Sequence, residues 1–180
     1  MDVLKTLGLP LEKDVLRQYI HFFMEAHSLS KLQPGVKKAL KKFQKRLELL
    51  LVTSRWYRTR VEQELEELGV RKFFHQVVTR QQAANYFGLT ELPLHPFHHQ
   101  RKILYEYALR LTGLFPKQVV VVGDSARELA PARMLGMTAV GVLTGASSAQ
   151  ELKKVTPNVI ASLEELDKLD LFHVAEDSDA

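Results

Sequence analysis

Cysteine is absent from the 180-residue chain. That excludes a disulfide framework and any thiolate metal site, so a bound metal would need oxygen or nitrogen ligands. A long hydrophobic run is also lacking: the apolar stretches are short and broken by charges, and no signal peptide or spanning segment is visible. A cytoplasmic address and no membrane partner are therefore expected. No internal repeat or low-complexity tract appears. The formal charge of +4 is modest and suits an anionic substrate without requiring one. The length allows one domain with a sizeable core and a small appendage.

What is present centres on Val119 to Gly145. Four consecutive valines, Val119 to Val122, leave no polar alternation and predict a strand buried on both faces of a parallel sheet. Gly123 turns the chain, and Asp124 and Ser125 lie at the strand's carboxyl end, the rim where open α/β sheets bind ligands. Ala126 to Leu135 reads as a helix kinked by Pro131 and stopped by Gly136. Thr138 to Val142 reads as the next strand. Upstream, Pro34 to Phe43 reads as a helix, Leu47 to Val52 as a buried strand ending at Thr53 and Ser54, about Trp56 to Leu68 as a helix, and Gln76 to Thr79 as a strand. Gln81 to Pro96 reads as a polar connection, and Arg101 to Leu111 as a helix. Asn158 to Ala161 reads as a last strand, followed by a helix from Ser162 to Leu169 with a Ser162–Glu165 capping box. Alternating strands and helices of this kind predict a doubly wound α/β sheet.

The Gly123-Asp124-Ser125 turn, the acid Glu128 and the following Gly136-Met137 and Gly141-Val142 steps resemble the fourth motif of the haloacid dehalogenase-like superfamily, mostly phosphatases. Thr53 at its strand end resembles the superfamily's second motif. The resemblance implies a Rossmann-like core at 34–170, a partial helical cap at 1–33 and an acidic tail at 171–180. It further implies that Asp124 and Glu128 hold Mg²⁺, although Glu128 stands where an Asp is usual. Thr53, with Ser54 beside it, would bind the phosphate of a small phosphorylated metabolite. The third motif's cation falls to His95, Arg101 or Lys102, and the residues alone do not choose among them. Read without the resemblance, Thr53 and Ser54 are simply an ordinary helix N-cap region.

Two other clusters have simpler explanations. His95, His98 and His99 lack metal-site spacing and read as ordinary loop histidines. Lys37, Lys38, Lys41, Lys42, Lys45 and Arg46 read as a solvated helix face, since no aromatic interleaving supports nucleic-acid contact.

The superfamily's first motif, a hydrophobic strand ending in Asp-x-Asp, is not found. Asp2, Asp14, Asp167 and Asp170 lack the apolar run, and Asp177 and Asp179 follow a poor strand. Its strand would lie between those bearing Thr53 and Asp124. A vacancy there leaves backbone N–H and C=O groups unpaired. Three arrangements are open: an upstream segment supplies the strand, the Thr53 and Asp124 strands pair directly, or a partner chain or second copy completes the sheet. The chain as written is expected to be a phosphatase fold without its nucleophile. The alternative is a non-catalytic interaction module on the same scaffold.

Overall fold

The computed structural model describes residues 31–89 and 97–171, with the backbone alone at 97 and 98. The expected cap helices, His95 and the tail beyond Leu171 lie outside the described residues. Six α-helices and five strands alternate among the described residues: α1 (Val36–Phe43), β1 (Leu50–Val52), α2 (Arg58–Glu67), β2 (Gln76–Val78), α3 (Arg80–Tyr86), α4 (Phe97–Thr112), β3 (Val120–Gly123), α5 (Ala126–Met134), β4 (Thr138–Val142), α6 (Ala149–Lys153) and β5 (Val159–Ile160). Short 3₁₀ turns occupy Arg71–Phe73, Pro116–Gln118 and Leu163–Lys168.

Every strand pairing is parallel, but the pairings fall into two separate sheets, β1-β2 and β3-β4-β5. Direct pairing of β1 with β3, one of the three expected arrangements, is therefore not what the described strands do. The two sheets nevertheless contribute to the same apolar clusters. On one face Leu47, Leu49 and Val120 pack on a core of Ala39, Phe43, Val140, Val142, Ile160 and Leu166. On the other, Val52 and Val121 share a cluster with Tyr105, Ala132 and Met137. Side chains alternate along a strand, so Val120 and Val121 of β3 reach both clusters, while β1 gives Val52 to the second and the residues before it, Leu47 and Leu49, reach the first. The two sheets thus share apolar clusters without a ladder between β1 and β3 among the described strands.

Burial differs from strand to strand. In β2 and β4, Val77, Val78, Ala139 and Val140 are 0% exposed. In β1 no residue is buried, and in β3 Val122 is 36% exposed. The expectation that the valine strand is buried on both faces is corrected here. Helices cover its faces, but no described strand lies against its outer edge.

Three local differences have plain causes. The connection expected from Gln81 begins instead as α3, because Thr79 and Gln82 form a capping box in which Gln82 accepts from the Thr79 N–H at 3.0 Å. Pro34 precedes α1 and does not open it; Gly35, with φ of 79°, turns the chain into the helix. The last expected helix is a 3₁₀ stretch, where Glu165 accepts from the Ala161 N–H. Pro131 sits buried within α5. On the basic helix, Lys38 and Lys42 pair with Glu164 and Asp167, ordinary surface contacts of small energetic weight.

Candidate active site

Asp124 stands at the carboxyl end of β3, where the loops that follow β3 and β4 meet. Its Oδ2 accepts the Ala146 N–H at 3.0 Å, and its carbonyl accepts the Ser147 N–H at 3.0 Å. Ser147 Oγ in turn accepts the Ala126 N–H at 3.1 Å. A Cβ at position 145 would overlap the Asp124 carboxylate, which is why that loop carries Gly145. The loop holds the acid in place through one carboxylate oxygen.

Thr53 ends β1. Its N–H continues the ladder to the Val78 carbonyl at 2.9 Å, and its Oγ1 accepts the Arg55 N–H at 3.2 Å. The hydroxyl thereby sets a tight turn after the strand. A cavity of about 250 Å³ opens beside it, lined by Leu51, Val52, Val61, Leu65 and Leu68 with Arg55 and Glu64. Arg55 and Glu64 form an ion pair, and burial pulls the Arg55 guanidinium below its ordinary range.

Arg101 joins the two strand ends. Residues alternate in the direction of their backbone groups, and Thr53 bonds toward β2, so the Val52 carbonyl points away from β2. Arg101 Nη1 donates to that carbonyl at 3.3 Å, while Nη2 is paired with the Glu128 carboxylate. The guanidinium is itself buried, with its side chain 8% exposed. Thr53 is the residue after Val52, and Glu128 lies one helical turn beyond Asp124. One side chain therefore brings the ends of β1 and β3 to a single rim.

A second group on the same helix face completes the contact. Tyr105, four residues after Arg101, donates its hydroxyl to the Glu128 carbonyl at 3.2 Å. Burial, opposed by Arg101 and reinforced by Glu128, pushes its phenol up to about 12. Tyr105 was not singled out from the sequence, although the four-residue spacing from Arg101 carried the signal. Lys102 faces elsewhere, beside Glu106 at 3.7 Å. His99 is an exposed residue of α4 and not a loop histidine. Ser54 is half-buried next to Thr53.

Asp124 and Glu128 offer oxygen donors alone, which suits a hard cation. Among the described residues no group of three or more acids or histidines gathers. Mg²⁺ is ordinarily held by one or two carboxylates together with waters and phosphate oxygens, so this donor set fits it.

The model of the haloacid dehalogenase-like hydrolase family matches residues 2–142. The chain belongs to that family. It is 30% identical over 142 residues to the phosphoglycolate phosphatase of Pasteurella multocida, covering 78% of this chain and 58% of that protein. It is 31% identical over 105 residues to the glyceraldehyde 3-phosphate phosphatase of Methanocaldococcus jannaschii, covering 58% of this chain and 41% of that one. The chain spans about half the length of the curated relatives it matches. Among solved structures, a haloacid dehalogenase-like hydrolase of Streptococcus pneumoniae superposes with a TM-score of 0.68 at 16% identity, over 92% of this chain and 85% of that one. At that identity the likeness is one of fold. No described helix of this family member is long and apolar enough to cross a membrane.

Proposed function

We propose that the rim formed by Thr53, Arg101, Asp124 and Glu128 is the phosphate and metal half of a Mg²⁺-dependent phosphatase site for small phosphate monoesters. The Thr53 hydroxyl and the N–H groups of its turn hold phosphate oxygens. Arg101 balances their charge, the part left open among His95, Arg101 and Lys102: Arg101 faces the rim and Lys102 does not. Asp124 offers its remaining carboxylate oxygen to the cation, with Glu128 behind it. When bound, the metal supplies positive charge against the transferring phosphoryl group. The phosphatase relatives support the substrate class. The observation that carries the reading is the Arg101 bridge from the Val52 carbonyl to Glu128.

No apolar run of the sequence ends in the Asp-x-Asp-x-Thr or Ser pattern that would supply an attacking carboxylate, so the chain as written binds phosphate and does not turn over. The outer edges of β1 and β3, which no described strand pairs, with the apolar cavity beside β1, favour a further parallel strand as the completing element. That strand comes from an added segment, a partner chain or a second copy. Phosphorus NMR titration of inorganic phosphate with Mg²⁺, run beside an aryl phosphate assay, tests both parts. Binding without turnover is expected, weakened by about tenfold or more in Thr53→Ala and Asp124→Asn. Turnover that disappears in Asp124→Asn would show that the attacking group has been misassigned. Absence of phosphate binding in Mg²⁺ would overturn the cradle itself.

A further inference from the structure

Resting on that reading, we infer that Glu128 is an internal stand-in for the phosphate, occupying the Arg101 guanidinium until a cation draws the carboxylate away. Arg101 is buried, and a buried guanidinium without an anion is strongly disfavoured. Its Nη1 contact, the Val52 carbonyl, is a neutral backbone group belonging to the residue before Thr53, whereas its Nη2 contact is an exchangeable carboxylate. The Glu128 side chain is 24% exposed against 8% for Arg101, so the acid is the member of the pair that can change partners. Tyr105 holds only the Glu128 backbone, which keeps α5 in place while the side chain moves.

Two consequences follow. Without cation, phosphate must compete with Glu128 for Arg101 and binds weakly. With cation, Glu128 turns toward Asp124, and the guanidinium, still pivoted on the Val52 carbonyl, takes a phosphate oxygen. Arg101 is then the residue through which the two binding events are coupled, and the coupling is reciprocal.

Direct contact between metal and phosphate would couple them as well, so the test is made without metal. Inorganic phosphate is titrated in the presence of a chelator into the full chain, Glu128→Gln, Arg101→Gln and the double variant, each first shown to melt cooperatively. Glu128→Gln is expected to bind metal-free phosphate at least fivefold tighter than the unaltered chain. The double variant is expected to bind like Arg101→Gln, because the gain passes through the guanidinium. Arg101→Lys combined with Glu128→Gln keeps a positive charge there and should retain part of the gain. Equal affinity of Glu128→Gln and the unaltered chain would overturn the inference. So would a gain that persists in the double variant, since that would be general charge removal. Phosphate binding that is absent from every variant, with or without Mg²⁺, would instead overturn the underlying site.

Discussion

β2 and β4 on one side, and β1 and β3 on the other, are built from the same kinds of residue and have opposite fates. Val77, Val78 and Val140 are fully buried, whereas Leu50, Leu51, Val52 and most of the valine strand are only half-buried. In a doubly wound sheet, strands with helices on both faces and a neighbour on each edge are the most buried of all. Among the described strands only β4 has a neighbour on each edge, while β1, β2 and β3 have one each. A missing neighbour accounts for the contrast between β3 and β4, whereas β2 is buried with one neighbour only. The half-exposed strands are also the two that carry Thr53 and Asp124, so the place where the sheet is broken is the place where the proposed chemistry sits.

Tyr105 offers the largest effect with which to probe that joint, since its cluster takes Val52 from one sheet and Val121 from the other. Its phenol is raised from 10.0 to about 12 in the folded state, so its share of stability is complete below about pH 10. It is lost as pH rises toward about 12, because the unfolded chain releases the proton first. A loss of about 2–3 kcal/mol across that interval is expected. Denaturant titrations at stepped alkaline pH should show it, and Tyr105→Phe should flatten that part of the profile. An unchanged profile in Tyr105→Phe would remove the tyrosine from the joint.

A pair of equal truncations sharpens the contrast itself. Val140→Ala removes two buried methyl groups and should cost about 2 kcal/mol, whereas Val122→Ala, on the open strand, should cost about 0.5 kcal/mol. Urea midpoints of the two variants check this. Equal costs would mean that β3 is covered in solution as fully as β4.

Much of this architecture was legible beforehand, and the reasons are local. The valine run, Gly123, and the helix stop at Gly136, with its φ of 84°, mark β3, α5 and β4 within a residue or two. Thr79 and Gln82 carry a capping signal for α3 that the neighbouring Gly88 and prolines obscure, which is why that helix read as a connection. The separation of the two sheets was anticipated only as one problem with three solutions, because pairing is a long-range property and no single residue encodes it. At the site, residue types pointed to Thr53, Asp124 and Glu128. That Arg101 and not Lys102 is paired with Glu128 required the helix to be placed, since adjacent residues on a helix face about 100° apart. The Val52 carbonyl was beyond reach, being a backbone atom whose exposure depends on what the next strand does.

Amide hydrogen exchange, resolved residue by residue along β1 and β3, tests the central claim most directly. The Val52 and Val122 N–H groups point away from β2 and β4, while those of Leu51 and Val121 point toward them. The account predicts an alternation, with Leu51 and Val121 protected and Val52 and Val122 exchanging far faster. Uniform strong protection along both strands would show that their outer edges are already paired, and would contradict it.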